Sequence, residues 1–252
     1  MNEAVILADA DNTLWDTDAV FADAQSRLLE RVECATGQTA PVATEQRLAW
    51  LRGYDQAIAK VDHRHLRYPP ALLVHALALG LAGTAPAEAT ATVTRGRAPE
   101  TIADADVEAI VAAYFASVGC VPDLLPGVRQ GLETAARKGV DIWVLSEGPA
   151  ECQRARIATH GLDGLVRGVT EVTKNKEQFA RQRRRFEPRI IYVVGDQPDR
   201  DIVPARAGGC RAVLVPSRFR PAWQRASAWC EADYVSASFD AAVSWIMLDL
   251  TA

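Results

Sequence analysis

The sequence lacks the features that would place it in a membrane or outside the cell. None of its apolar runs approaches the roughly 20 residues that a membrane-spanning helix needs. Its first residues, Met1, Asn2 and Glu3, do not begin a basic and apolar leader, so secretion is not expected. The cysteines are odd in number and have no metal-site spacing, as is typical of reduced thiols in a cytoplasmic protein. These five residues are Cys34, Cys120, Cys152, Cys210 and Cys230.

An excess of positive charge is also missing. Lysine and arginine number 28 against 32 aspartates and glutamates, and the formal net charge is −4. Such a balance gives no general attraction to nucleic acid or to an anionic membrane, so neither partner is expected. One basic run falls in a helix-like stretch and is interpreted as a solvated face. It consists of Arg181, Arg183, Arg184 and Arg185. Oligomeric state is not indicated by any feature of the sequence.

Several common motifs are absent as well: the P-loop, GxGxxG, GxSxG and any internal repeat. What is present is a 252-residue chain with 49% hydrophobic residues, enough for one large or two smaller domains. From about Thr17 to Val118 it is rich in Ala, Leu and Arg and contains no convincing strand. The periodicity there predicts helices over 18–36, 43–61, 70–81 and from 101 or 104 to 117. We expect residues 17–121 to form a helical insert.

From Pro122 onward, short apolar runs alternate with helical segments. The predicted strands are 140–145, 165–169, 190–194, 211–215 and 233–235. The predicted helices are 126–138, 149–160, 175–185, 198–207 and 239–248. This alternation predicts an α/β fold with a doubly wound, mostly parallel, Rossmann-like sheet. Val5 to Ala8 would be a further strand, so that residues 1–16 and 122–252 form one core domain around the insert.

Carboxylates follow the first of these strands. Asp9, Asp11 and Asp16 come directly after the apolar run and are interleaved with polar turn-forming residues. The carboxyl edge of such a sheet is where ligands bind. Neighbouring carboxylates raise each other's pKa, and a divalent cation with a preference for oxygen, such as Mg²⁺, relieves that cost. The alternative is that Asp9 and Asp11 only cap a turn.

Three further groups of polar residues follow later strands. Ser146 begins a Ser-Glu-Gly-Pro turn that could bind an anion or simply cap a helix. Lys174 or Lys176 could place a cation near the same edge, and Gly195-Asp196 begins a second acidic cluster that extends to Asp201. Together these residues supply a carboxylate nucleophile, a metal site, phosphate donors and a cation, which phosphoryl transfer requires.

The pattern resembles the haloacid dehalogenase-like (HAD) superfamily, in the branch with a helical (C1-type) cap. The family's DxDxT motif stands as Asp9-Ala10-Asp11-Asn12-Thr13, and its strand-ending hydroxyl residue stands as Ser146. Lys174 fits the family's lysine best, with Lys176 still open. The fourth motif, GDxxxxD, runs from Gly195-Asp196 to Asp201. The resemblance covers the core, roughly half of the chain, and the insert takes the place of the cap.

The resemblance implies roles for these residues. Asp9 would be the nucleophile that forms an aspartyl-phosphate, and Asp11 would be the general acid and then the general base. Mg²⁺ would be held by Asp9, the backbone carbonyl of Asp11 and Asp196, with Asp201 either as a further ligand or as a residue that orients the others. Phosphate-binding residues would be Ser146, Lys174 and their neighbours Glu147 and Asn12. Glu147 is a departure from the family, since its carboxylate must point away from a bound phosphate.

The implied activity is a magnesium-dependent phosphatase that acts on a small phosphorylated metabolite. Asp11 favours phosphate esters, because dehalogenases and phosphonate-cleaving relatives lack an aspartate there. A phosphomutase, a receiver-like signalling domain and a non-catalytic scaffold are the alternatives. A cap would select the substrate, through Arg52, Arg64, Arg67 and Tyr68. Lys60, His63 and His65 are further candidate contacts, and the two histidines are interpreted as a solvated turn rather than a metal site.

Overall fold

The chain forms a parallel sheet with helices on both faces. In the sequence, a block of helices separates the first strand from the others. The computed structural model describes residues 4–61, 68–96, 102–218, 229 and 231–251. The strands are β1 Ala4–Ala8, β2 Asp141–Ser146, β3 Gly168–Glu171, β4 Ile190–Gly195, β5 Arg211–Leu214 and β6 Tyr234–Val235. The helices of the core are α6 Val128–Arg137, α7 Ala150–Thr159, α8 Lys176–Phe186, α9 Val203–Ala207 and α10 Phe239–Asp249.

All six strands are parallel and lie in the order β3-β2-β1-β4-β5-β6. The prediction of a doubly wound α/β sheet is therefore confirmed. Ala8 at the end of β1 pairs with Val144 of β2 and with Val194 of β4. The residues that follow these three strands thus emerge side by side, where the strand order reverses and open α/β sheets bind ligands.

Strand β1 is buried on both faces, which explains its unbroken run of apolar residues. On one face, Ile6 belongs to a hydrophobic cluster with residues of α6 and α10 such as Leu132 and Phe239. On the other face, Leu7 packs in a cluster that includes Phe179 of α8. Successive strand residues point to opposite faces, so one short strand supports both helical layers.

The chain divides into two compact units, and the second comprises the described residues between Ala19 and Cys120. Those residues are helical, with a hydrophobic core of their own that includes Leu51 and Leu77. The helices of this part are α1 Thr17–Thr36, α2 Arg47–Val61, α3 Pro70–Leu81, α4 Pro86–Thr94 and α5 Asp104–Val118. A short 3-10 turn, Thr44–Gln46, precedes α2. No helix of the described chain is long and apolar enough to cross a membrane.

Two predicted elements of the core differ from the structure by several residues or in type. The predicted strand at 165–169 begins only at Gly168, because Leu165 and Val166 form a turn whose backbone N–H groups donate to Leu162 O. Val166 is buried in the core by that turn, so its apolar character reflects packing rather than a strand. The predicted helix at 198–207 is a π-helical turn, Pro198–Ile202, followed by α9.

Candidate active site

Three buried carboxylates converge at the carboxyl edge of the sheet. Asp9 follows β1 and is fixed there by its N–H, which donates to Val194 O at 2.8 Å. Asp196 follows β4, and Asp201 lies in the π-helical turn behind it. All three are buried, and one carboxylate oxygen from each lies within 4.8 Å of the others. Residues far apart in the sequence therefore form one acidic cluster.

Lys174 is the lysine that the structure brings to this triad. Its Nζ contacts Asp9 Oδ1 and donates to Asp201 Oδ1 at 2.5 Å, and its side chain is 6% exposed. Lys176, by contrast, is exposed at the start of α8. Burial lowers the pKa of Lys174, but Asp201 and Asp9 offset that effect and raise it above its ordinary value. With every group ionised, three negative charges and one positive charge leave this site doubly negative.

The chemistry of the triad fits a divalent cation. Burial, with smaller effects of Asp201 and Asp11, raises the pKa of Asp9 to about 7 despite Lys174. Burial and the neighbouring Asp9 raise the pKa of Asp196 well above its ordinary value. Asp196 Oδ1 is buried and has no hydrogen-bond partner among the described residues. A hard cation with oxygen ligands would supply the missing partner and remove the cost of ionising these groups.

Gly195 allows the Asp201 side chain to approach the end of β4. A Cβ at this position would lie 2.3 Å from Asp201 Cγ, so a side chain there cannot be accommodated without a shift. We expect Gly195→Ala to lower the free energy of unfolding by about 1–3 kcal/mol, as overpacking of a buried site does. Thermal unfolding measures the change. Gly164→Ala is the matched control, because a Cβ there meets no atom of the described residues within 4 Å. Equal stability of the two variants would contradict this reason.

Asp11 lies outside the triad, and its carboxylate is held by other partners. Its Oδ1 accepts hydrogen bonds from Thr17 Oγ1 and Arg156 Nη1, both at 2.7 Å. Its Oδ2 accepts one from Gln153 Nε2 at 3.2 Å. The Asp11 side chain is 38% exposed, in contrast to the buried Asp9. The two carboxylates of the DxDxT sequence thus face different surroundings.

The rest of this loop is shaped by local hydrogen bonds. Asn12 has a φ of 60°, a left-handed conformation that asparagine tolerates better than most residues. Its Oδ1 accepts from the N–H of Asp18, while Thr13 Oγ1 donates to Asp9 Oδ2 at 3.2 Å. Asn12 therefore stabilises the turn in the described contacts, and its phosphate-binding role stays a prediction. Asp16 also lies outside the triad.

Ser146 and Glu147 lie beside this loop at the end of β2. Ser146 is 1% exposed, and its Oγ accepts from Gly148 N and Gln153 Nε2. Glu147 Oε1 accepts from the N–H of Lys174 at 3.0 Å, and Oε2 pairs with Arg200. The Glu147 carboxylate is thus neutralised by partners of its own, which explains how an acidic residue is tolerated in this position.

The sequence-predicted substrate residues lie in the insert. Arg52 Nε donates to Gln25 Oε1 at 3.1 Å, and the Tyr68 hydroxyl donates to Asp55. Burial raises the pKa of Asp55, so this hydrogen bond lies in a poorly solvated environment. Lys60 is exposed. The remaining candidates lie outside the described residues: His63, Arg64, His65 and Arg67.

Sequence reasoning missed Gln153, Arg156 and Arg200. Gln153 and Arg156 lie three residues apart on α7, the helix that follows Ser146, so they share one face of the helix. Two polar residues at this spacing, on the helix that follows Ser146, are the pattern that could have indicated them. Arg200 lies inside the GDxxxxD segment, of which only the acidic residues were predicted to belong to the site.

The comparisons with known proteins agree with this fold. The chain belongs to the haloacid dehalogenase-like hydrolases, since the model of that family matches residues 4–209. The predicted family is therefore confirmed. A search of curated protein sequences found no significant match.

Solved structures of the same fold cover nearly the whole chain. YfnB from Bacillus subtilis, a HAD-hydrolase candidate solved bound to magnesium, is 15% identical with a TM-score of 0.60 and coverages of 94% of this chain and 96% of its own. A haloacid dehalogenase-like hydrolase from Xanthomonas campestris is 16% identical, with a TM-score of 0.61 and coverages of 98% and 96%. A predicted phosphoglycolate phosphatase from Haemophilus somnus is 17% identical, with a TM-score of 0.59 and coverages of 100% and 99%. At these identities the likeness is one of fold.

Proposed function

We propose that the protein is a magnesium-dependent phosphatase that hydrolyses a small phosphomonoester through an aspartyl-phosphate at Asp9. The observation that carries this proposal is the buried contact of Lys174 with Asp9, in a site with Asp196 and Asp201. A buried nucleophile with a cation beside it and an acidic triad around it suits attack on a phosphate dianion, because the repulsion between the two anions must be offset.

The residues for Mg²⁺ are the Asp9 carboxylate, Asp196 and Asp201, with the backbone carbonyl of Asp11 as a further ligand. Two observations support this assignment: Asp196 Oδ1 has no hydrogen-bond partner among the described residues, and the site is doubly negative. When bound, the cation would offset the negative charges of Asp9 and of the phosphoryl group.

Asp9 performs the covalent step. One of its carboxylate oxygens forms a bond to phosphorus as the bond from phosphorus to the ester oxygen breaks. Asp11 gives its proton to that ester oxygen, which leaves as an alcohol. In the second step Asp11 takes a proton from water as the water oxygen attacks phosphorus. The bond between phosphorus and Asp9 then breaks, and inorganic phosphate is released with Asp9 regenerated.

Ser146 and Lys174 hold the phosphoryl oxygens during both steps. Lys174 is already oriented by Asp9 and Asp201, so it carries its charge to the oxygens without reorganisation. Glu147 contributes indirectly: its contacts with Lys174 N and Arg200 fix the loop. Asn12 contributes through the backbone turn that places Asp9 and Asp11.

The two lysines allow a direct test of this arrangement. We expect Lys174→Met to lower kcat/KM by about 10²- to 10³-fold, since it removes a buried cation from the site of developing charge. Lys176→Met should stay within about twofold, because Lys176 is exposed. Steady-state kinetics with p-nitrophenyl phosphate measures both. Comparable losses in the two variants would contradict the assignment of Lys174.

Residues 17–121 are proposed as a cap that selects the substrate, with residues 1–16 and 122–252 as the catalytic core. Arg52, Arg64, Arg67 and Tyr68 are the proposed contacts to a polar or anionic part of the leaving group. Arg52→Ala should therefore change KM or the preference among substrates, while kcat with p-nitrophenyl phosphate stays within a few-fold. Identical kinetics across a metabolite panel would argue against this role.

A screen of phosphorylated metabolites tests the function itself. Solved proteins of this fold are described as phosphatases, β-phosphoglucomutases and dehalogenases, so the reaction must be measured. We expect magnesium-dependent release of inorganic phosphate. Isomerisation of a sugar phosphate without phosphate release would indicate the phosphomutase alternative, and halide release from a 2-haloacid would indicate a dehalogenase.

A further inference from the structure

Helix α7 carries two polar residues that reach the site but belong to none of its sequence motifs. Gln153 is 1% exposed, and the Arg156 side chain is 19% exposed. Both contact Asp11, and Gln153 also contacts Ser146. One helical face therefore joins the proposed acid and base to the proposed phosphate-binding hydroxyl.

The orientation of the Gln153 amide is fixed by Trp15. The indole Nε1 of Trp15 donates to Gln153 Oε1 at 3.1 Å, and an indole can only donate. The amide oxygen must face Trp15, so the amide nitrogen faces Asp11 and Ser146. Its two hydrogens match the two acceptors found there, Asp11 Oδ2 at 3.2 Å and Ser146 Oγ at 3.1 Å.

This arrangement makes Ser146 a donor toward a ligand. A hydroxyl oxygen has two acceptor positions and one hydrogen. Gly148 N at 3.0 Å and Gln153 Nε2 occupy both acceptor positions of Ser146 Oγ. The remaining hydrogen is thereby directed to a different acceptor, and a phosphoryl oxygen at the edge of the sheet is one.

The same arrangement distinguishes the two oxygens of Asp11. Oδ1 accepts from Thr17 and Arg156, which occupy both of its acceptor positions. Oδ2 accepts only from Gln153 among the described residues, so one position is left for a proton. Proton transfer by Asp11 is therefore assigned to Oδ2.

We propose that Gln153 and Arg156 are positioning residues: both aim Asp11 Oδ2 at the leaving-group oxygen, and Gln153 also directs the Ser146 hydrogen to the phosphoryl group. The inference rests on the proposed phosphatase function. A misplaced acid slows proton transfer most for a leaving group that needs a proton, such as an alkoxide. A p-nitrophenolate leaving group is stable without one and is affected less.

The test uses Gln153→Met and Arg156→Met in the full chain. Rates of phosphoenzyme formation are measured by rapid acid quench with p-nitrophenyl phosphate and with the alkyl phosphate that the wild type hydrolyses fastest. We expect a fall of roughly 10- to 100-fold for the alkyl phosphate and of less than about threefold for p-nitrophenyl phosphate. Arg156→Lys should restore most of the alkyl rate, since it returns a cation to Asp11.

Binding of inorganic phosphate gives a second readout. Gln153→Met should raise its inhibition constant by about two- to tenfold, the effect of one neutral hydrogen bond. Arg156→Met should leave it within about twofold, because Arg156 has no described contact with Ser146. Gln182→Met is the matched control: Gln182 is a buried glutamine on α8, in contact with Arg185 rather than with the site.

The outcomes separate this inference from the function on which it rests. A wild type that turns over neither ester overturns both. If the wild type is active but the α7 variants react with both esters at unchanged rates, or at rates lowered by the same factor, the positioning role is overturned. The phosphatase proposal then remains intact. If Gln153→Met does not fold, the more exposed Arg156→Met gives the decisive comparison of the two esters.

Discussion

Asp9→Asn is expected to lower kcat by about 10⁴-fold or more, since a chain without its covalent nucleophile retains only the remaining binding and electrostatic effects. An amide has nearly the size of the carboxylate but is too weak a nucleophile to attack phosphorus. Initial rates of phosphate release with p-nitrophenyl phosphate and with the best substrate from the metabolite screen measure this loss.

The fold should survive this substitution. Lys174 keeps its contact with Asp201, and the repulsion between Asp9 and its acidic neighbours disappears. Circular dichroism and thermal unfolding establish that the variant is native. Asp199→Asn is the matched control, because Asp199 is an exposed aspartate in the adjacent turn. A native Asp9→Asn protein with more than about a hundredth of wild-type activity would exclude Asp9 as the nucleophile.

Asp196→Asn is expected to have clearly different effects on stability with and without metal. In metal-free protein at pH 7, the raised pKa of Asp196 means that folding must either bury a charge or take up a proton, and both cost free energy. The side-chain amide introduced by Asp196→Asn is neutral and does not titrate, so it removes that cost. We therefore expect the chelated variant to be more stable than the chelated wild type by roughly 1–3 kcal/mol.

Addition of Mg²⁺ should cancel most of this advantage of the variant or reverse it. A ligand that binds only the native state adds about 2.7 kcal/mol at a concentration of 100 times its Kd, and the variant should lose most of that gain. For a chain of this size each kcal/mol shifts the unfolding midpoint by about 2–4 °C. The variant should also lose at least about 100-fold in activity. Thermal unfolding in EDTA and in Mg²⁺, with Asp199→Asn alongside, measures both effects.

The two conditions make this prediction easy to reject. If Mg²⁺ raised the unfolding midpoint of Asp196→Asn as much as that of the wild type, the triad would not be the metal site. If EDTA left wild-type turnover intact and Mg²⁺ did not change it, the requirement for a metal would be wrong.

The sheet could be predicted from the sequence because its strands are buried on both faces. Val5 to Ala8 and Ile190 to Val194 are apolar without interruption, which is how such strands differ from the amphipathic helices around them. The acidic residues that follow each of these strands could then be placed at one edge. That inference needs only parallel strands in register, and the structure has them.

The parts that could not be predicted depend on packing between distant segments. Helix α4 was not predicted, because its buried residues are small or β-branched and form no strong apolar stripe. These residues are Ala89, Thr90 and Val93. The choice of Lys174 over Lys176 is decided by which side chain reaches Asp9 across the sheet edge. Gln153 is recognised as part of the site only once Trp15, distant in sequence, is seen to fix its amide.

Capture of the covalent intermediate tests the central claim most directly. The protein is mixed with substrate and Mg²⁺ in a single turnover, and the acyl phosphate is reduced with borohydride, which converts a phosphorylated aspartate to homoserine. Peptide mass spectrometry then locates the change. We predict homoserine at position 9 in the wild type and none in the Asp9→Asn variant. Homoserine at another aspartate, or phosphate release with no reducible intermediate at any time in the turnover, would contradict the mechanism.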